Sequence, residues 1–395
     1  MHRFRFGWAI QPLTPAYFNL KHTRLWMVLW LSLVAPAAAL DIRVGLKQST
    51  PEVTIGSSTA TTLLDGAGRV LGQIPALQGF PATAVSGGVS VAGKKAWQIT
   101  VKPKDNGFIY VGGRWYRGEV NLIRDRGGLT VVNKLNMEDY LASVIGKEMY
   151  HTWPQEALKA QAVASRSYAL FHQQRPKSKL FDVFSTITSQ VYAGLEGEAV
   201  STQTAVKATT GQVLLYQGKV VEAVFHSASG GHTENSENVW QGTVPYLRGV
   251  ADFDQASPSY QWTISLTDAQ LRQRLPGIGN ILSLTPVKTS QTGRVQMLKV
   301  QGTKGDRLIR GTEARRALGL RSTLFTAKPD FGLVAGRPSP VASQGSPKSF
   351  LISGRGHGHG LGMSQWGAYG LALQNKTYQE ILSHYFQGTS IKAVY

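Results

Sequence analysis

Beyond residue 40, the first third of the chain alternates apolar and polar side chains. Ile42-Arg-Val-Gly-Leu46, Trp97-Gln-Ile-Thr-Val101 and Gly118-Glu-Val-Asn-Leu-Ile123 all change sides residue by residue, which is the period of a half-buried β-strand. Pro75, Pro81, Gly87-Gly88, Gly112-Gly113 and Gly127-Gly128 cut the stretch into short pieces. Residues 41–132 are therefore expected to form a β-rich, barrel-like or sandwich part. After residue 133 the period lengthens. Asn136 with Asp139 three residues on marks a helix start, Asp standing in for the usual Glu, and this helix is expected to run to Met149. Pro154 suits a first helical position. The alanine-rich run Gln155–Phe171 is helical on propensity alone. Ala157, Gln161, Ala164 and Tyr168 line one of its faces, Leu158, Ala162, Ser165 and Ala169 another, so other elements are expected to pack closely on it.

Further along, Ala199–Thr210 reads as a helix, and Val213–Tyr216 and Val220–Val224 read as strands joined by Gln217-Gly-Lys219. His226–Thr233 reads as a polar loop. Residues from about 255 to 350 read as a mixed insertion with helices at Thr267–Arg274 and Thr312–Leu318, and Pro329–Pro347 as a loop or linker. A last apolar helix is expected from Ser364 to Leu373. The expected class is α+β: a β-rich barrel-like part, then a helical α/β part over 133–395, forming one large cleft-bearing unit. No internal repeat is visible.

The N-terminus changes the picture of where the chain works. Arg3, Arg5, Lys21 and Arg24 precede the apolar run Leu25–Val34, and Ala37-Ala38-Ala39 follows, the layout of an export signal over residues 1–40. The run is short for a bilayer span, but residues 25–40 would serve as an anchor if uncleaved. The net charge of +19 falls to +15 beyond Leu40, because those four basic residues precede any acid. A basic exported chain calls for an anionic partner. The basic residues are scattered rather than clustered as for nucleic acid, so a wall polymer or membrane surface fits better. The chain has no cysteine, which excludes disulfides and thiolate metal sites. The fold must be held by its core alone.

The richest chemistry lies in Gly354-Arg-Gly-His-Gly-His-Gly-Leu-Gly-Met-Ser-Gln-Trp-Gly-Ala368. So many glycines cannot fill a core; they are expected to let a ligand approach the main chain. The spacing is G-x-G-x-G-x-G, not the dinucleotide G-x-G-x-x-G, and no GxxxxGK[ST] occurs. His357 and His359 share a face in extended chain and could bind metal, contact substrate or bond within a turn. Glu148 falls at a helix end, where the dipole disfavours a carboxylate, with Ile145, Met149 and Trp153 nearby to desolvate it. A raised carboxyl pKa suits a general acid. Arg166 sits among small residues and, if buried, needs a carboxylate or ligand partner. His226, Ser227, Ser229 and His232 make a loop of the kind that lines a cleft, without the elbow of a serine nucleophile. Trp240 could stack a sugar ring. Glu156 reads as structural.

Taken in order, several blocks resemble one family. They are Asp139-Tyr-Leu141, Val144 to Glu148-Met149, Trp153-Pro154, Glu156–Val163, Arg166-Ser-Tyr-Ala169, His226-Ser-Ala-Ser-Gly-Gly231, Pro245-Tyr-Leu247, Gly356–Ala368 and Tyr378-x-x-Ile-Leu-x-His-Tyr385. The chain resembles the SpoIID/LytB domain proteins of bacterial cell-wall remodelling over essentially all of residues 42–395. The resemblance implies lytic transglycosylase action on peptidoglycan glycan strands, preferably strands stripped of stem peptides, with Glu148 as the catalytic acid. It implies that Arg166, His226, Ser364 and Gln365 line the cleft. With them, Ser227, Ser229, His357 and His359 are expected to contact substrate. Some relatives bind zinc through cysteine and histidine near the position of His226; this chain has no cysteine, and neither metal nor cofactor is expected.

A lytic transglycosylase needs only one carboxylate, since the muramoyl 6-hydroxyl replaces water as nucleophile, whereas hydrolases usually need two. If water were the nucleophile, Glu234 or Glu237 would be the second. Two further readings remain open: a non-catalytic wall-binding module that enhances an amidase, and a histidine–metal hydrolase using His357, His359 and His226 or His232. The expected partners are glycan strands and a wall amidase, in the periplasm or cell wall, with no nucleic acid.

Overall fold

The computed structural model describes residues 40–125, 127–334, 337–338 and 346–395. The export signal or anchor expected before Asp41 lies outside these residues apart from Leu40, as does part of the Pro329–Pro347 linker. The alternating segments do form strands, and the alternation sets what is buried: Ile42, Val44, Ile99, Val101, Val120 and Leu122 are all at 0% exposure. One sheet runs, edge to edge, Val183–Phe184, Asp41–Thr50, Gly128–Asn136, Glu119–Asp125, Gln98–Pro103, Thr61–Asp65, Val70–Ile74. A second runs Arg114–Tyr116, Ile109–Val111, Glu52–Ser57, Phe80–Val85, Gly88–Val91, Lys94–Ala96. Both are open: neither order returns to its first strand, so among the described residues the strands form stacked pieces of sheet and no closed barrel.

The helices are α1 Met137–Glu148, α2 Gln155–Gln173, α3 Val200–Ala208, α4 Asp268–Arg274, α5 Gly311–Leu318, α6 Gln365–Leu373 and α7 Tyr378–Tyr385. Asn136 caps α1 by accepting from the Glu138 N–H at 2.8 Å. Asp139 does not close a capping box; it lies 3.9 Å from Arg117 instead. Pro154 is the cap of α2 rather than its first residue. The strand expected over Val220–Val224 does not form; only Lys219–Val220 and Phe225–His226 pair, each with a different partner.

One hydrophobic core joins the β-rich part to the helices, from Ile42 and Ile99 through Tyr140 and Val144 of α1 and Leu158 of α2 to Leu361, Met363 and Leu382. Residues 262–352 carry a second core of their own, including Trp262, Leu271, Leu298, Leu318 and Phe350. The small side chains of α2 do what their spacing predicts: α1, α3, α6 and α7 all pack on it. Burial there is so complete that Arg166 is fully enclosed. Its Nε donates to Glu138 Oε1 at 3.0 Å, its Nη2 to Glu138 Oε2 at 2.5 Å and its Nη1 to the Gln212 carbonyl at 3.0 Å. Tyr395 donates to the same carboxylate at 2.6 Å. The arginine therefore ties α2 to the start of α1, a hairpin strand and the C-terminus, and its expected place in a substrate cleft is corrected: the guanidinium is fully engaged inside the protein.

Removing one partner of a buried ion pair strands the other charge. Arg166→Met is expected to lower unfolding free energy by about 3 kcal/mol, read as a lower urea midpoint at unchanged slope. A midpoint within error of the parent would show that the pair contributes nothing.

Candidate active site

The backbone brings three distant segments to one place. Phe225–His226 pairs in parallel with Met363–Ser364, and Ala228 bridges His357 through two hydrogen bonds, 2.7 and 3.0 Å. These contacts sew the His226–Gly231 loop to the glycine-rich run. The glycines of that run take positive φ at 356, 358, 360 and 362, a region costly for side chains. What crowds them is protein, not an open site: a Cβ on Gly358 would lie 2.5 Å from that of His226, and one on Gly360 would lie 2.6 Å from the Arg294 guanidinium carbon. The glycines thus serve close packing of loop on loop, and Gly358 among them also lines the cleft next to Glu148.

Glu148 ends α1 and faces this assembly. Its Oε1 accepts from the Val191 N–H at 3.0 Å and its Oε2 from Gln365 Nε2 at 3.3 Å. Gln365 is the first residue of α6, whose cap is Ser364 accepting from Gly367 N at 3.1 Å. The junction is clamped by aromatic rings: Trp153, just after α1, lies 4.7 Å from Trp366 and 4.9 Å from Tyr369. Burial raises the Glu148 pKa above the ordinary carboxyl range, and the two donated hydrogen bonds only partly offset it. Such a carboxyl keeps its proton to higher pH than an exposed one, as a general acid requires.

A cleft of about 600 Å³ opens on this carboxyl. Of the residues singled out from sequence, Glu148, His226, Ser227, His357, His359, Gln365 and Trp240 line it. Arg166, Ser229 and Ser364 do not. Ser229 is fully buried and donates to Asp252 at 2.5 Å, beside Tyr385, which donates to the other Asp252 oxygen at 2.5 Å. Ser364 is spent on its cap. The buried carboxylate Asp252 could not stand without donors, which is why the serine and tyrosine hydroxyls are turned inward.

The histidines are held neutral. His359 Nε2 donates to the Phe225 carbonyl at 3.0 Å, and its Nδ1 accepts from Leu361 N at 3.0 Å; burial, with Arg315 next, lowers its pKa to about 4. His226 Nδ1 donates to the Leu361 carbonyl at 3.0 Å, and burial holds its pKa well below the usual value. That leaves His226 Nε2 buried without a partner. A metal would need more: both nitrogens of His359 are in use, and among the described residues no three His, Asp or Glu side chains converge on a point. These residues do not fit a metal centre.

Among the titratable residues of the lining, sequence reasoning missed three. Glu222 sits inside an apolar run with nothing to mark it, and its carboxylate lies 3.2 Å from His172 Nε2. Tyr168 was read as packing; burial and Glu222 push its pKa up to about 12, so it remains a hydroxyl donor. Arg315 comes from α5. Glu234 and Glu237 lie elsewhere. Glu234 accepts from Ser290, Thr292 and Asn238, and Glu237 pairs with Arg248 at 2.5 Å.

A family model described as Stage II sporulation protein, SpoIID, matches residues 125–216, the stretch that carries α1 to α3 and Glu148. A Domain of unknown function (DUF8618) matches residues 251–362. The Stage II sporulation protein D of Bacillus subtilis is 31% identical over 285 residues, covering 66% of this chain and 75% of its own. The chain belongs to the SpoIID family. An uncharacterised protein of Brachyspira hyodysenteriae is 37% identical over 285 residues, 70% of this chain and 72% of its own. A Bacillus subtilis protein named amidase enhancer is 30% identical over 290 residues, 64% of this chain and 40% of its own. In this SpoIID member the cleft draws on both matched regions, Glu148 from the first and Arg315, His357 and His359 from the second.

His359 is expected to stay neutral, with its proton on Nε2, down to about pH 4. Between that pH and its ordinary value near 6.5 the unfolded chain binds the extra proton, so this residue costs stability as pH falls through that window. Nitrogen NMR of the ring across pH 3–8 checks it; titration near pH 6.5 would show the ring to be solvated.

Proposed function

We propose that this chain is a lytic transglycosylase that acts on the glycan strands of peptidoglycan outside the cytoplasm. The observation that carries this reading is the Glu148 carboxyl: half-buried, raised in pKa, positioned by Val191 and Gln365, and open to a cleft of the size of a few sugar rings. Glu148 would donate its proton to the bridging oxygen between muramoyl C1 and the next sugar. As that bond breaks, the muramoyl 6-hydroxyl oxygen bonds to C1 and its proton passes to the Glu148 carboxylate. The products are a 1,6-anhydromuramoyl end and a new free 4-hydroxyl, with the acid regenerated. Tyr168, Ser227 and Gln365 supply donors for sugar oxygens, and Trp240 a flat apolar face on which a ring can stack. Export is supported by the layout of residues 1–40, and an anionic wall polymer by the net charge of +19.

The cleft holds two carboxylates, Glu148 and Glu222. A hydrolase would use the second carboxylate to activate water. Glu222 is turned toward the His172 ring, 3.2 Å from its Nε2. The other reading is a non-catalytic enhancer of an amidase, favoured by the name of one relative; such a module would bind strands and leave them whole.

Glu148→Gln keeps the shape and loses the proton, and is expected to lower turnover of peptide-free strands at least ~10²-fold while wall binding persists. Mass spectrometry in ¹⁸O water should find anhydro ends without label. Labelled reducing ends would make the enzyme a hydrolase, and intact strands with undiminished binding would make it the enhancer.

The acid must be protonated to act, so kcat/KM should be flat on the acid side and fall as pH rises through the raised Glu148 pKa. Gln365→Leu removes a hydrogen bond that lowers that pKa, and should move the alkaline limb to higher pH. A limb that stays put would show that another group sets it.

A further inference from the structure

Among the described residues, Arg315 is a cation in the cleft with no carboxylate within ion-pair distance. It lies on the last turn of α5, a helix of the 262–352 core, and its side chain reaches the same cleft that Glu148 lines from the other part of the chain. It is half-buried, and among the described residues it makes neither an ion pair nor a side-chain hydrogen bond. Most arginines in this chain that are buried to that degree have a carboxylate: Arg43 has Asp182, Arg117 has Glu198, Arg166 has Glu138 and Arg248 has Glu237. A desolvated guanidinium without a partner is costly in a folded protein, and burial alone lowers the pKa of this one. The nearby imidazoles cannot repay that cost as anions; they are neutral and feel its charge as repulsive. The Arg315 charge is felt by His357 and His359, so the guanidinium stands on the histidine side of the cleft.

We propose that Arg315 is a specificity residue that binds a carboxylate carried by the glycan itself, the free lactyl carboxylate of a muramoyl residue. The inference rests on the glycan-strand reading above. Peptidoglycan offers two carboxylate sources: the lactyl group, charged only where no peptide is attached, and the free ends of stem peptides. The lactyl group sits on the sugar ring, about one ring from the scissile bond. The cleft of about 600 Å³ also has to hold the sugars, so a group on the ring fits where a peptide chain does not. The planar fork of arginine matches a carboxylate with two parallel hydrogen bonds. Where a peptide is joined, the lactyl group is an uncharged amide and leaves Arg315 unpaired, so the site rejects as well as selects.

The test measures binding, so that it does not depend on turnover. In a Glu148→Gln background, affinities are measured for three defined strands: a peptide-free strand with free lactyl groups, the same strand with each lactyl group converted to a methylamide, and a methylamide strand carrying one peptide with a free terminal carboxylate. The free-lactyl strand should bind roughly 10-fold or more tightly than the methylamide, the scale of a charge-assisted hydrogen bond to a buried group, and the peptide should not restore the loss. Adding Arg315→Gln should collapse that ratio to below about 2-fold, with circular dichroism and melting unchanged; Arg315→Lys should keep part of it. A ratio that survives Arg315→Gln overturns the assignment, as does a peptide carboxylate that binds as well as the lactyl group. Failure of the transglycosylase reading would appear separately, as absent anhydro ends from the parent protein with the binding ratio intact.

Discussion

Two residues of parallel pairing, Phe225–His226 on Met363–Ser364, hold the site together. On one side of that short ladder hangs the ring of His226; on the other, α6 begins with Gln365 reaching Glu148. The pairing is far too small to persist alone. It is braced by the Ala228–His357 bridge, by Asp254 accepting from Gly230 and Gly231 at 2.7 and 2.9 Å, and by Asp252 accepting from Ser229 and Tyr385. Every second residue of the glycine run lacks a side chain because another loop already occupies that space. The cleft is therefore shaped by backbone on backbone, and its side chains project from a frame that has little room to move.

The 262–352 core is fastened to that frame by polar contacts. The Arg321 carbonyl accepts from Gly358 N at 3.0 Å, and the Arg294 guanidinium donates to the Ser229 carbonyl at 2.6 Å. Arg294 is only 2% exposed, and burial brings its pKa down to about 10, so it remains charged at neutral pH. Two of its nitrogens lack partners. A buried cation on loop carbonyls is a poor way to gain stability, but it fixes where the added core sits relative to the histidines.

Much of this was legible in the chain, for identifiable reasons. Alternation marked Ile42–Leu46, Trp97–Val101 and Gly118–Ile123 because one face of each strand is buried. The helices expected from Thr267 and Ser364 form, with those two residues as their caps rather than their first turns. Glu148 could be singled out because a helix end and its apolar neighbours adjoin it in sequence. The failures are non-local. Arg166 met its carboxylate 28 residues away, Ser229 met Asp252 across 23, and no local pattern tells a ligand-facing polar group from one turned inward. Glu222 and Arg315 reach the cleft only through tertiary packing, and the pairing of strands that would have made a barrel is likewise a property of the whole.

The residues that build the cleft run from position 148 to position 365 of a chain of 395. Loop closure over such distances is slow and comes late in folding. A chain cut before residue 357 would carry Glu148 but no Gln365 beside it, no pairing of Phe225–His226 with Met363–Ser364 and neither His357 nor His359. The C-terminal segment is thus what completes the cleft: a truncated copy would lack its histidine wall and the amide that Gln365 presents to Glu148.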